Sequence, residues 1–203
     1  MQYVHSVGID EVGRGPLAGP VLVGCVAIHD IRRAKKIFRM LGVEGNYRDS
    51  KKLSETARED IVVCMKKAEQ EGVISATTSR VTSGVIDTIG IAPSIRLAMK
   101  RGIQRLNVPN NTQIHLDGSL YASTAFTKQK TIIKGDTKKL SICLASILAK
   151  MVRDTYMVRK AREFPEYGFE RHKGYGTQYH RDVIATHGTC KIHRTSFCKA
   201  TTQ

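Results

Sequence analysis

Two apolar, β-rich runs, residues 4–9 and 20–28, flank a short segment that carries two adjacent carboxylates and three glycines: Asp10-Glu11-Val12-Gly13-Arg14-Gly15-Pro16-Leu17-Ala18-Gly19-Pro20. This arrangement constrains the fold more than any other stretch of the chain. Two such runs on either side of a Gly/Pro-rich turn pair as antiparallel neighbours and open a sheet. Carboxylates at the end of a strand are poised to bind a hard cation through oxygen. A glycine-flanked arginine lets backbone approach a phosphate or sugar while its guanidinium clamps it. An acidic pair alone is most often a solvated turn. Three glycines and an arginine in the same segment shift the reading towards a metal site beside a backbone reader of nucleic acid.

Further strands are expected at residues 73–80, 114–117 and 131–134, the last followed by Gly135-Asp136. Helical periodicity alternates with them. Residues 55–71 have Ser54 as N-cap and an apolar stripe through Ile61, Met65 and Ala68. Residues 92–106 carry Pro93 in a first turn, and 177–187 form a short later helix. Residues 138–163 form a long helix of small and aliphatic residues, ended by Pro165 and Gly168. The pattern predicts a mixed α/β sheet. The 203 residues suffice for one large or two small domains, with no internal repeat or low-complexity linker. The last stretch, 189–203, is basic and is expected to be loop-like.

A net charge of +15 favours a polyanionic partner, because Lys and Arg replace condensed counterions along phosphates. A membrane surface is the competing polyanion. With no long uncharged apolar run and no signal-peptide pattern, the expectation is a soluble, cytoplasmic protein without membrane association. The five cysteines, Cys25, Cys64, Cys143, Cys190 and Cys198, are odd in number and mostly inside apolar stretches. They read as small buried residues in a reducing compartment. His187, Cys190, His193 and Cys198 depart from zinc-finger spacing, and whether they bind zinc stays open.

Asp10, Glu11, Asp117 and Asp136 all fall at strand ends or just beyond, with Gly118 and Gly135 permitting sharp turns beside two of them. If their strands are neighbours, the carboxylates converge at one edge. Such a cluster repels itself and raises its own pKa values unless divalent metal compensates. Two ions about 4 Å apart activate water and stabilise a leaving alkoxide.

The sequence resembles type 2 ribonucleases H (ribonuclease HII) of the bacterial kind. The resemblance runs in order through Gly8-Ile9-Asp10-Glu11-Val12-Gly13-Arg14-Gly15-Pro16, Asp49-Ser50-Lys51-Lys52-Leu53-Ser54, Asp117-Gly118 and Lys134-Gly135-Asp136. It continues through Ala145-Ser146-Ile147-Leu148-Ala149-Lys150, Arg153-Asp154, His172-Lys173-Gly174-Tyr175-Gly176-Thr177, His180 and His193-Arg194-Thr195-Ser196-Phe197. It implies an RNase H-like fold spanning 1–203, a five-stranded mixed sheet flanked by helices. About residues 165–203 would form a helical C-terminal part contributing to substrate binding. It implies hydrolysis of the RNA strand of RNA/DNA hybrids, and incision 5′ of single ribonucleotides in duplex DNA. That is a role in removing ribonucleotides from DNA, by a monomer using Mg²⁺ or Mn²⁺. Asp10, Glu11, Asp117 and Asp136 then match the catalytic, metal-binding acids. Gly13, Arg14 and Gly15 match the backbone reader of the 2′-hydroxyl, and Tyr175 the aromatic at the RNA–DNA junction.

A 2′-hydroxyl is the group that tells ribose from deoxyribose, and a glycine-rich backbone reads it without reference to the base. Ser50, Lys51 and Lys52 are expected to hold phosphates. Lys150, Arg153 and Asp154 are expected to combine helix-face charge with local ion pairing, the exact role of Asp154 staying open. Cys143 and Leu144 stand where the family carries smaller residues, which would repack the helix–sheet contact. No clamp-binding segment is visible after Phe197, and sliding-clamp association stays open. Two other classes compete. A non-catalytic nucleic-acid-binding module would lack at least one acid. Another nuclease or strand-transfer enzyme on the same fold would lack the Gly-Arg-Gly turn and Tyr175.

Overall fold

The first two runs pair as expected. In the computed structural model, which describes residues 3–43, 53–118 and 120–198, β1 (Ser6–Val12) and β2 (Val21–Ile28) are antiparallel, with Asp10 opposite Gly24. β3 (Ile74–Val81) adds antiparallel to β2. β4 (Ile114–Asp117) lies parallel to β1, and β5 (Gln129–Ile132) parallel to β4. The order β3-β2-β1-β4-β5 makes the five-stranded mixed sheet of an RNase H-like fold.

All eight residues of β2 are buried because both faces of the sheet are covered. Val21, Val23, Cys25 and Ala27 pack with Val7 and Ile9 of β1 against Ile95, Ala98, Met99 and Ile103 of α4 (Ile91–Leu106). Val26 and Ile28 face the other side. There they meet Ala34 and Phe38 of α1 (Ile31–Arg39), Ile61, Met65 and Ala68 of α2 (Glu55–Gln70), and α5 (Leu140–Glu163). Cys143 and Leu144 are fully buried within this second core. α3 (Ser83–Ile89) precedes α4.

The α5 face of β1 is shaped by glycine. A Cβ on Gly8 would collide with the Ser141 backbone, and one on Gly24 with the Ala145 carbonyl. The helix therefore lies close on the sheet. The next residue on that face of β1, Asp10, is brought under Ser146.

β5 departs from expectation: it spans 129–132 rather than 131–134. Its ladder with β4 ends at Asp117 opposite Ile132. Ile133 is then 74% exposed, and Lys134 turns the chain through a left-handed conformation into a 3-10 turn, Gly135–Thr137. α1 and α3 were not expected.

The C-terminal part comprises α6 (Phe169–His172), α7 (Gln178–His187) and α8 (Thr195–Cys198). It has its own apolar cluster: Met157 and Ala161 of α5 with Ala18, Tyr167, Phe169, Ile184 and Ile192. The final stretch, expected as a loose basic loop, is anchored through residue 198. His193 bridges Ala18, Arg194 is fully buried, and Asp87 accepts from the backbone N–H and hydroxyl groups of Thr195 and Ser196. Among the described residues no helix is long and apolar enough to cross a membrane.

Candidate functional site

Asp10 is 7% exposed and accepts the Glu11 N–H at 2.7 Å. Burial is the main force that pushes its carboxyl up to about 7. The Ser146 hydrogen bond opposes this, while repulsion from Asp117 and then Glu11 adds to it. Asp117, the last residue of β4, accepts the Gly135 N–H through Oδ1 at 2.6 Å, which ties the β4 end to the turn carrying Asp136. The fold therefore gathers Asp10, Glu11 and Asp117 closely enough to repel. Asp136 adjoins through the Cys143 thiol, which feels both Asp136 and Asp10. The expected convergence is one of field rather than of a preformed cage: no three His, Cys, Asp or Glu among the described residues are placed to share an ion.

These carboxylates fit a hard divalent cation. All four donors are oxygen, the donor class of Mg²⁺ and Mn²⁺. The Asp10 carboxyl is raised first by burial and then by repulsion from Asp117 and Glu11, which a cation held by these oxygens would relieve. Arg14 lies 3.8 Å from Glu11, and its side chain is 57% exposed. The same absence of a gathered set holds for His187, Cys190, His193 and Cys198. His193 instead directs its Nδ1 to the Cys190 N–H and its Nε2 to His180.

Gly13 has φ +83°, a conformation suited to glycine, and a Cβ there would run into the Arg153 side chain. Gly15 is different. Its φ is ordinary, and a Cβ would meet nothing within 4 Å. Among the described residues nothing requires glycine at position 15, and the space over it is open.

Two buried arginines hold the turn. Arg153 donates to the carbonyls of Pro20 (3.1 Å), Ala18 (3.1 Å) and Lys173 (2.9 Å). Arg194 donates to those of Gly13 (2.6 Å), Arg14 (3.0 Å) and Gly19 (3.0 Å). Both are fully buried. Burial, and next the neighbouring Arg153, pushes Arg194 down to about 9. Backbone carbonyl dipoles solvate these charges in place of water. The expectation for the α5 charges is thus corrected: Lys150 and Asp154 do pair, at 2.9 Å, but Arg153 is an interior brace and not a helix-face charge.

The same braces fix Tyr175. The Gly174 carbonyl accepts from the N–H groups of Leu17 (2.9 Å) and Ala18 (3.2 Å), and a Cβ on Gly174 would collide with the Ala18 carbonyl. The two loops are joined backbone to backbone. The Tyr175 ring is 42% exposed and lies beneath the Arg153 guanidinium, 5.6 Å from ring centroid to Cζ. Gly13, Arg14, Gly15 and Tyr175 are therefore one assembly. Ser50, Lys51 and Lys52 lie outside the described residues. The sequence reading passed over Ser146, Asp87 and the bracing roles of Arg153 and Arg194. The one available signal was that Ser146, Arg153 and Arg194 sit inside the motifs that carry the family resemblance.

A family profile described as Ribonuclease HII matches residues 7–200. The ribonuclease HII of Caldicellulosiruptor bescii is 42% identical over 197 residues, covering 97% of this chain and 88% of that protein. That of Chlorobaculum tepidum is 39% identical over 193 residues, covering 94% and 87%. Among solved structures, the PCNA:RNase HII complex from Archaeoglobus fulgidus superposes with a TM-score of 0.71 at 26% identity, over 94% of this chain and 93% of that one. Ribonuclease H2 from Pyrococcus horikoshii OT3 shares the fold, with a TM-score of 0.68 at 21% identity over 97% and 96%. A sheet of this order, acids on its central strands and a match along almost the whole length lead to one assignment: the chain belongs to the ribonuclease HII family.

Proposed function

We propose that this protein is a metal-dependent endoribonuclease that cuts the RNA strand of RNA/DNA hybrids and incises 5′ of single ribonucleotides in duplex DNA. The observation that carries the proposal is the locked assembly of the Gly13–Gly15 turn with Tyr175, beginning two residues after Glu11. In this reading Asp10, Glu11, Asp117 and Asp136 hold Mg²⁺ or Mn²⁺, which when bound would neutralise phosphate charge and supply activated water.

The chain's own groups do the rest. Ser146 and the Glu11 N–H orient the Asp10 carboxylate. Arg14, exposed and beside Glu11, meets a phosphate. The open backbone at Gly15 meets the ribose 2′-hydroxyl, and the Tyr175 ring packs on the adjoining sugar. The acids serve water attack on phosphorus, so the 2′-hydroxyl is a recognition element and not the nucleophile. Products are then a 3′-hydroxyl and a 5′-phosphate.

The test is a duplex DNA with one embedded ribonucleotide, incubated with Mg²⁺, with Mn²⁺ and with EDTA, and the cut mapped. A single cut 5′ of the ribonucleotide, dependent on metal, is expected. A 2′,3′-cyclic phosphate end, or full activity in EDTA, overturns the proposal.

A further inference from the structure

Three imidazoles, those of buried His180 and His193 and half-buried His172, pack together, with His180 hydrogen-bonded to the Tyr175 carbonyl. The rings of His172 and His180 stack at 4.2 Å, and His193 lies 5.2 Å from His180. Phe169 meets His180 edge-on at 5.5 Å. Hydrogen bonding assigns every proton in this group. His193 Nδ1 lies 2.8 Å from the Cys190 backbone N–H and must accept from it. A neutral His193 therefore carries its proton on Nε2, which lies 3.0 Å from Nε2 of His180. That nitrogen of His180 accepts. Its proton then sits on Nδ1, which donates to the Tyr175 carbonyl at 2.9 Å. His172 is fixed independently: Nδ1 accepts from the Gly174 N–H at 3.1 Å, and Nε2 donates to the Tyr167 carbonyl at 2.8 Å. Each ring has one allowed tautomer.

We propose that His180, its tautomer set by His193, is a positioning residue that holds the Tyr175 backbone so that the ring stays against Arg153, whose side chain abuts Gly13, and so sets the enzyme's discrimination for a lone ribonucleotide. The inference rests on the reading of Tyr175 as a junction reader. Adjacent residues divide the task. His193 orients the ring that holds Tyr175, and Arg194 holds the carbonyls of Gly13 and Arg14. The two halves of the recognition surface are thus set by one dipeptide.

The charged and titratable groups around the stack are Glu166, Glu170, Lys173, Cys190, Tyr167 and Tyr179. For the imidazoles themselves burial is the largest influence. It pushes His180 down to about 4 against its bond to Tyr175, with His172 and His193 adding to the fall. Burial likewise pushes His193 to about 4, helped by His172 and opposed by its bond at Cys190. The group therefore stays neutral, with its donor in place, throughout the neutral range.

The experiment labels the full chain with 3-fluorotyrosine and assigns the Tyr175 resonance with Tyr175→Phe. His180→Phe fills the ring space without a donor. His180→Gln keeps a polar group towards His193 but loses the donor at Nδ1, and serves if His180→Phe does not fold. His180→Asn keeps an N–H towards the Tyr175 carbonyl. The Tyr175 resonance should move or broaden in His180→Phe and His180→Gln and stay in place in His180→Asn. It should hold still in the wild type between pH 7 and 5. The ratio of kcat/KM for a single embedded ribonucleotide to that for a continuous hybrid should fall at least fivefold in the first two variants, and recover to within twofold in His180→Asn. An unmoved resonance in the folded donor-less variants overturns the inference, whatever Tyr175 reads. A moved resonance with an unchanged ratio overturns it also. Equal losses on both substrates in Tyr175→Ala would instead sink the reading of Tyr175, and the resonance, which reports position alone, tells the two failures apart.

Discussion

Replacing Gly15 by alanine separates recognition from folding. A methyl group there meets no atom of the described residues within 4 Å, and the backbone lies outside the left-handed range that disfavours alanine. The unfolded chain loses freedom, so stability should be unchanged or higher by about 0.4–1 kcal/mol. The methyl does enter the space assigned to a ribose. Displacing the sugar by about 1 Å costs on the order of 100-fold when the reacting geometry is tight, or about 2.7 kcal/mol in transition-state binding. Gly13→Ala is the contrast. Its φ of +83° adds about 1–2 kcal/mol of strain, and its methyl drives into Arg153. Gly13→Ala should therefore lower the unfolding midpoint, while Gly15→Ala should not. The assay pairs urea unfolding with kcat/KM on a duplex holding one ribonucleotide. If Gly15→Ala cuts within twofold of wild type, the open backbone at Gly15 is not where the sugar binds.

Three further outcomes are expected. Asp10→Asn should reduce turnover by several kcal/mol in transition-state terms while duplex binding holds or tightens, since it would delete a proposed metal ligand and a negative charge together; near-normal turnover at saturating metal removes Asp10 from the proposed catalytic set. Substrate affinity should fall with salt at a log–log slope near −5 if about six phosphates are neutralised; a slope near zero in a titration from 50 to 200 mM salt refutes a nucleic-acid role for the +15 charge. His180 and His193 stay neutral to about 4 when folded but take protons near 6.5 when unfolded, so the unfolded state binds more protons between these values and stability should fall as pH drops from 6.5 towards 4. Asp10, held near 7, has the opposite sign; urea midpoints are therefore compared in Asp10→Asn, where a flat profile over that range would refute the neutral stack.

What could be read in the sequence depended on whether the signal was local. β2 announced itself by eight consecutive apolar or small residues, and α2 by the Ser54 cap, which does accept the Ala57 N–H. α1 escaped because it buries only Ala34 and Phe38 beneath a basic surface, so its periodicity rests on one i, i+4 pair. The end of β5 was misplaced because Thr131-Ile132-Ile133 has strand chemistry throughout. Pairing with β4, not propensity, ends the strand before Ile133. The acids, the Gly-Arg-Gly turn and Tyr175 stood out as short motifs. Arg153 and Arg194 did not, because a buried arginine is spelled like an exposed one. Their partners are carbonyls 133, 135 and 20 residues away for Arg153, and 175 to 181 for Arg194. Only the fold brings those together.

The reach of Arg194 orders the assembly of the enzyme in time. The carboxylates of β1 are synthesised before β4 and α5, and they could meet their neighbours once those elements follow. The turn that would read the sugar waits for a side chain 181 positions beyond the carbonyl it grips. Contacts of such separation form late, and on a growing chain this one cannot form until Arg194 has been added. A nascent or C-terminally clipped chain would thus carry its acids without the restraint that shapes its reader. Arg194 thereby makes the fixed shape of the proposed reader conditional on a segment that joins the fold 181 positions downstream of the Gly13 carbonyl it grips.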